Sequence, residues 1–220
     1  MTDNFEKTYI KKPEDIEKRS FEIITEELGE KALSFSQEEL PIVKRVIHTT
    51  ADFEYADLIQ FLNNPISSAK KALSEGCKIY CDTNMIVNGL SKMVLKKFGC
   101  EAYSLVSDED VAKEAKLRGI TRSIVGMEHG GKDGKTKIFL IGNAPTALYK
   151  LKEMIVKNEI EKPALVVGAP VGFVGAEDSK EFFKDTGVPY ITINGRKGGS
   201  TVTVAILHGI LYQIYKREGF

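Results

Sequence analysis

Apolar residues in the first 75 positions recur at the three- and four-residue spacing of amphipathic helices. The first predicted helix begins at Pro13, a residue type favoured in the first helical turn. Its apolar positions are Ile16, Ile23, Ile24 and Leu28. A second helix is expected from about Ser36, and a third from Asn64-Pro65 to near Gly76. The pattern therefore predicts a helical N-terminal segment over residues 1–75.

From residue 76 onward, short apolar runs alternate with helical segments. The runs cover residues 78–81, 102–106, 137–141, 164–168 and 190–193. Most of them are continuously apolar, which is typical of strands covered on both faces. Alternation of strand and helix implies right-handed crossovers and a parallel sheet. We expect one α/β domain over 1–220, in which 76–220 forms the alternating core. Its predicted architecture is a three-layer α/β/α sandwich with a mostly parallel sheet of about five strands, preceded by the helical segment.

Four loops of this core are candidates for binding a ligand. In an open parallel sheet, ligands bind beyond the carboxyl ends of the strands, and the loops predicted there are 82–85, 142–146, 169–175 and 195–201. Their glycines let the backbone approach a ligand closely, and helix N-termini favour anions. Arg196 and Lys197 add positive charge. The loops predict a crevice for an anionic ligand, although any single one could simply turn the chain.

Composition excludes several other classes of function. The 31 basic side chains balance 31 acidic ones, which gives no global bias towards nucleic acid or a membrane surface. The cysteines, Cys77, Cys81 and Cys100, have neither the pairing nor the spacing of a zinc site. No signal peptide, membrane span or phosphate-binding glycine motif is found. We expect a soluble cytoplasmic protein, and a nucleotide-dependent enzyme stays open at this point.

The three histidines differ in their prospects for catalysis. His208 lies in an almost wholly apolar stretch and is expected to be a packed or interface residue. His129 is expected in a flexible connection between a helix and a strand. His48 ends a helical run, where it could be a helix-end histidine or a group that transfers protons near neutral pH. Ser20 is expected either to hydrogen bond to a preceding carbonyl or to face a ligand. Arg122 is expected to be the first residue of a helix, with an anion as its partner.

The C-terminal segment predicts a helix that is apolar nearly all round. Its apolar residues are Val202, Val204, Ile206, Leu207, Ile210, Leu211 and Ile214. Such a helix is normally buried on every side, and a second subunit would be a natural cover in a two-fold dimer. The alternative is that the helix lies inside the three-layer fold.

Four stretches of the sequence resemble one known family. They are RVIHTTAD at 45–52, IGNAPTAL at 141–148, GAPVGFVGAEDSK at 168–180 and GRKGGS at 195–200. Together they are similar to the precorrin-8X methylmutases, a family that includes the cobalt-precorrin-8 methylmutases, and the similarity extends over nearly the whole chain. This family consists of homodimeric α/β isomerases. They move a methyl group from C-11 to C-12 of a tetrapyrrole, giving hydrogenobyrinate or its cobalt form, cobyrinate, in cobalamin biosynthesis.

The resemblance also implies roles for individual residues. The catalytic histidine of the family falls on His48, and we expect it to act as a general acid. The implied substrate contacts are Ser20, Arg45, Asn84, Met85, Thr121, Arg122, Asn143, Thr146, Gly195, Arg196, Lys197 and Ser200. Thr83 and Asn84 differ from the alanine and arginine that other members carry after the first strand. Phe173, Val174 and Met85 are expected to form an apolar floor, with Arg122, Arg196 and Lys197 as a basic rim.

Two other classes of function remain open at this point. One is a non-catalytic corrinoid-binding or channelling protein, in which His48 would only anchor the pigment. The other is a phosphometabolite enzyme that uses the glycine loops at helix N-termini. A methyl migration within one molecule needs no redox cofactor or group donor. The resemblance therefore implies no metal or other cofactor, and the lack of a nucleotide motif and of a metal-ligand cluster in the sequence agrees with it.

Overall fold

The structure, a computed structural model, describes residue 10 and residues 12–215 of the chain. The α-helices are α1 (Pro13–Leu28), α2 (Leu40–Thr50), α3 (Tyr55–Leu58), α4 (Pro65–Glu75), α5 (Asn84–Gly89), α6 (Lys92–Lys97), α7 (Glu109–Arg118), α8 (Arg122–Lys132), α9 (Pro145–Val156), α10 (Ala176–Phe183) and α11 (Ser200–Ile214). The strands are β1 (Ile59–Leu62), β2 (Lys78–Cys81), β3 (Glu101–Tyr103), β4 (Thr136–Ile141), β5 (Leu165–Gly168) and β6 (Tyr190–Ile193). Two 3-10 helices cover Gly29–Ser34 and Lys184–Thr186.

The strands form one sheet in the order β1-β6-β5-β4-β2-β3. All neighbours are parallel except β1, which runs antiparallel to β6. The register brings Cys81 opposite Leu140, Ile141 opposite Gly168, and Gly168 opposite Thr192. The central strands therefore end together, and the loops that follow β2, β4, β5 and β6 leave from one side of the sheet. We call this side the carboxyl edge.

Helices cover both faces of the sheet, which confirms the three-layer prediction. Alternate residues of each central strand point to opposite faces, as the pleat requires. In β4, Ile138 and Leu140 pack with α2, α4, α5, α6 and α11, whereas Phe139 and Ile141 pack with α8, α9 and α10. Both sets are buried, and this explains why the predicted strands read as continuous apolar runs.

The prediction that residues 1–75 are wholly helical is wrong at β1, which in the described part of the chain adds one antiparallel strand to a sheet of five parallel strands. β1 has only four residues and only half-buried side chains after Ile59. Four residues are too few for their apolar pattern to distinguish a strand from a continuation of the helices around it. Pairing with β6, which is far away in the sequence, stabilises the extended form. The predicted strand at 102–106 is also shorter, because β3 is an edge strand that pairs only with β2.

The C-terminal helix α11 lies inside the fold, as the alternative interpretation held. Leu207, Ile210 and Leu211 are 0 % exposed within one chain. The main neighbour of α11 is α2, and a Cβ on Gly209 would stand 2.8 Å from the Ile42 Cα atom. The expectation that a partner subunit covers these side chains is therefore wrong, because α2 and the sheet already cover them. This packing also fixes the position of α2, the helix that carries His48.

No helix in the described part of the chain is long and apolar enough to cross a lipid bilayer.

Candidate active site at the carboxyl edge

A buried carboxylate, Asp82, joins two of the loops at the carboxyl edge. Asp82 directly follows β2 and is 2 % exposed. Its oxygens accept hydrogen bonds from the backbone N–H groups of Gly142 at 3.0 Å, Asn143 at 2.8 Å and Ala144 at 2.7 Å. Burial raises the pKa of Asp82, while the three N–H groups act in the opposite direction. The sequence predicted Asp82 in a loop but gave it no role. An acidic residue directly after a buried strand was the feature that could have indicated one.

The loops after β2, β4 and β6 also contact one another. Thr83 Oγ1 caps α5 by accepting from the Ile86 N–H at 3.2 Å, and it lies 3.0 Å from Ser200 Oγ at the start of α11. A Cβ on Gly142 would stand 2.8 Å from the Ser200 Cα atom. A larger residue at position 142 would push these two loops apart.

The loop after β5 is hydrogen bonded to the glycine loop after β6. The Gly199 N–H donates to the Ala169 carbonyl at 2.8 Å, and the Gly172 N–H donates to the Arg196 carbonyl at 3.1 Å. Gly198 has a φ of +151°, and a Cβ there would stand 2.2 Å from the Ala169 carbonyl oxygen. Only glycine fits this position. The predicted convergence of four loops on one edge is therefore confirmed.

Residues at the start of α8 and α9 form a second group at this edge. Thr121 caps α8, and its Oγ1 lies 3.1 Å from Thr146 Oγ1 on the first turn of α9. Arg122 is exposed as the first residue of α8, as predicted. Asn143 is exposed one residue before the α9 cap. Asn84 is not hydrogen bonded to this group of residues; its side-chain amide donates to Ser107 Oγ at 2.8 Å.

A cleft of about 200 Å³ opens where α2, α5 and α11 meet. Its lining consists of Arg45, Thr49, Met85, Gly89, Ser200, Thr201, Val204, Ala205 and His208. Three predicted contact residues, Arg45, Met85 and Ser200, thus come together from distant parts of the sequence. The Arg45 guanidinium is held by Glu17 at 3.0 Å and lies 4.7 Å from the Tyr212 ring centroid.

His48 lies beside this cleft, on the last turn of α2. Its exposed ring packs on Phe21, with 5.3 Å between centroids, and the Arg45 guanidinium lies 5.2 Å from the same Phe21 ring. Among the described residues, no hydrogen bond holds the imidazole nitrogens. Ser20, next to Phe21, donates to the Ile16 carbonyl at 2.9 Å, which is the first of the two roles predicted for it. The His48 ring is therefore positioned by packing and keeps its nitrogens available to a ligand.

His208, which the sequence predicted to be a packed or interface residue, lines this cleft. Its Nε2 accepts from the Ser91 N–H at 3.1 Å, and its ring stacks on Tyr212. Burial, together with the charge of Arg45, lowers the pKa of His208 to about 4. The imidazole is therefore neutral at physiological pH, with its other nitrogen protonated.

His129 lies within α8 rather than in a flexible connection, so that expectation is wrong. It pairs with Glu114 of α7 at 3.0 Å. The glycines around it suggested a loop, but Gly130 is required inside the helix, where a Cβ would stand 2.4 Å from the Tyr80 ring.

The predicted rim and floor residues lie around the glycine loop. Gly195 has a φ of +70°, and the Arg196 guanidinium lies 5.5 Å from the Phe173 ring centroid. Phe173 and Val174 are 85 % and 91 % exposed. Lys197 is engaged by Asp52 and by Glu54, the latter at 2.8 Å. The edge thus presents exposed apolar side chains beside two arginines, Arg122 and Arg196.

These features define an α/β protein with a histidine, guanidinium groups and uncovered apolar side chains at the carboxyl edge of its sheet. The chain belongs to the precorrin-8X methylmutase family, whose sequence profile matches residues 15–213. It is 46 % identical over 211 residues to a cobalt-precorrin-8 methylmutase of Leptospira interrogans, covering 92 % of this chain and 94 % of that protein. A cobalt-precorrin-8 methylmutase of Priestia megaterium is 47 % identical over 198 residues, covering 90 % and 87 %. The crystal structure of precorrin-8x methyl mutase from Thermus thermophilus superimposes with a TM-score of 0.83 at 39 % identity, covering 90 % and 94 %.

Family membership makes the chain an isomerase of cobalamin biosynthesis. The reaction of the family is the methyl shift from C-11 to C-12 of the tetrapyrrole.

Asp82→Asn tests the role of the buried carboxylate. The amide keeps one acceptor oxygen and turns an NH₂ group towards at least one of the three N–H donors, so the free energy of unfolding should fall by about 1–3 kcal/mol. Asp178→Asn, at an exposed position of α10, is the control and should change it by about 0.5 kcal/mol or less. Urea denaturation measures both, and equal shifts in the two variants would contradict this role.

Proposed function

We propose that this chain rearranges the cobalt-containing form of precorrin-8 and that the reaction takes place at the carboxyl edge. Support for the cobalt form comes from the two relatives at 46 % and 47 % identity, both named for the cobalt substrate. The observation that carries the site is the convergence of the four loops and the His48 turn on one edge. Comparing turnover of cobalt-containing and metal-free substrate tests the choice of substrate.

His48 is the proposed general acid. A methyl migration within one conjugated macrocycle is favoured when a proton polarises the ring, because electron density is drawn away from the carbon that receives the methyl group. The product is an isomer of the substrate, so the proton that His48 lends must return to it at the end of the cycle. An exposed imidazole whose nitrogens are not hydrogen bonded by the described residues suits both steps.

The remaining proposed site residues bind the macrocycle. A tetrapyrrole of this class is flat and apolar, with carboxylates at its periphery. Met85, Phe173 and Val174 offer exposed apolar surface to the ring, and Arg122 and Arg196 offer guanidinium groups to the carboxylates. The other proposed contacts are Ser20, Arg45, Asn84, Thr121, Asn143, Thr146, Gly195 and Ser200.

A homodimer in the cytoplasm is the proposed form of the enzyme. The cleft of about 200 Å³ is smaller than the roughly 300–1,000 Å³ usual for small-molecule sites. Phe173 and Val174 also stand uncovered, and a second copy of the chain would enclose a ligand against them. Sedimentation at micromolar concentration should give the mass of a dimer, and a monomeric mass with full activity would refute it.

His48→Ala should lower kcat by about 10²–10⁴-fold, the usual contribution of a positioned acid. The side chain is exposed, so folding and pigment binding should change little. The matched control is His129→Ala, another exposed histidine, which pairs with Glu114 instead. The spectral change of the pigment during rearrangement measures turnover. A His48→Ala enzyme within a few-fold of the unmodified protein would refute the assignment.

Arg122→Ala and Arg196→Ala should each weaken binding of the substrate about tenfold or more. A hydrogen bond to a charged group contributes about 1.5–3 kcal/mol, and about 1.4 kcal/mol corresponds to a tenfold change in affinity. Lys116→Ala, an exposed cation of α7, is the control and should leave the affinity unchanged. Titration of the visible spectrum measures binding. Unchanged affinity in both arginine variants, at low and high salt, would place the rim elsewhere.

A further inference from the structure

Lys197 connects the glycine loop after β6 to the segment that follows α2. Its ammonium group donates to Asp52 Oδ2 and, at 2.8 Å, to Glu54 Oε2. These hydrogen bonds hold the pKa of Asp52 below its usual value and raise that of Lys197. Two carboxylates around one ammonium leave the cluster with a net negative charge. Such a cluster repels the carboxylates of a polyanionic substrate rather than attracting them.

The backbone of Lys197 is fixed as well. The Lys180 ammonium donates to the Lys197 carbonyl at 2.8 Å, and Lys180 is 1 % exposed. No carboxylate in the described part of the chain lies within ion-pair distance of Lys180, and burial lowers its pKa to about 8. A buried lysine held mainly by one carbonyl makes that carbonyl costly to displace. Lys197 is thus held by both its main chain and its side chain.

A short, stiff segment links this bridge to His48. The Ala51 N–H donates to the Ile47 carbonyl at 2.7 Å, and Ala51 closes α2 in the left-handed conformation with a φ of 53°. The Asp52 N–H donates to Thr50 Oγ1 at 3.3 Å, and Asp52 Oδ1 accepts from the Glu54 N–H at 2.9 Å. These hydrogen bonds tie Asp52 to the last turn of α2, a helix whose overall position is set by its packing on α11.

We propose that Lys197 is a positioning residue, which through Asp52 and Glu54 holds the His48 turn against the glycine loop, and that it is not a contact for substrate carboxylates. This inference rests on the proposed role of His48. A displacement of about 1 Å in a catalytic group can cost about 10²-fold in rate. The geometry thus assigns to Lys197 an effect on kcat rather than on substrate affinity.

Three variants of the full-length protein test this inference. Lys197→Met, and Asp52→Asn combined with Glu54→Gln, should each lower kcat by about tenfold or more, with substrate affinity changed by less than about twofold. Exchanging the charges, Asp52→Lys with Lys197→Asp, should restore part of the lost kcat, because the ion pair is rebuilt in reverse while the Glu54 N–H loses its acceptor. Asp57→Asn, a nearby exposed acid that pairs with Lys31, is the control and should leave kcat unchanged.

NMR of the His48 ring provides a readout that does not depend on turnover. Without ligand, its resonances should shift in the first two variants and return towards those of the unmodified protein in the charge exchange, while thermal melting shows that all remain folded.

If Lys197 bound a substrate carboxylate, Lys197→Met would lower affinity about tenfold, the exchange would restore nothing, and the inference would be overturned. Unchanged kcat in the bridge variants, together with an inactive His48→Ala, would overturn the inference alone. An active His48→Ala would remove the proposed function on which it rests.

Discussion

The three backbone N–H groups that converge on the buried Asp82 carboxylate are the constraint on which the structure of the carboxyl edge depends. They tie the loop after β4 to the end of β2. Gly142 then contacts Ser200, and the glycine loop before Ser200 is bonded to the loop after β5. Burial of an acceptor makes loss of a partner costly, so the edge behaves as one preorganised unit. In the proposed function, substrate binds there without first ordering four separate loops.

The cations at this edge fall into two groups, those paired within the protein and those left exposed. Lys197 donates to the carboxylates of Asp52 and Glu54, and Lys180 donates to the Lys197 carbonyl. Arg122 and Arg196 are exposed, and no carboxylate of the described residues is paired with them. His208 is kept neutral by its surroundings, whereas His48 rests on Phe21 with its nitrogens available. The same edge therefore holds paired cations, exposed guanidinium groups and the proposed proton donor on different side chains.

The sequence alone was sufficient for the three-layer fold and for the convergence of the loops. Continuous apolar strands and their alternation with helices follow from burial on both faces, and the edge follows from strand direction. β1 could not be predicted, because pairing with β6 stabilises it and its own four residues do not. The apolar pattern of α11 shows that the helix is buried, but it does not identify α2 as the cover. The roles of Asp82, Lys197 and His208 depend on partners 60 or more residues away in the sequence, which no local pattern reveals.

Hydrogen–deuterium exchange with bound cobyrinate tests most directly whether the carboxyl edge is the site. A cavity of about 610 Å³ at the opposite edge, lined among others by Gly76, Phe98 and Lys135, is the alternative location. It contains no histidine or arginine, and it lies at the amino ends of the strands, where parallel sheets rarely bind ligands. Binding at the carboxyl edge predicts protection of residues 142–146, 170–175 and 195–201 and of the last turn of α2. Protection confined to residues 75–78, 98–101 and 134–137 would contradict it.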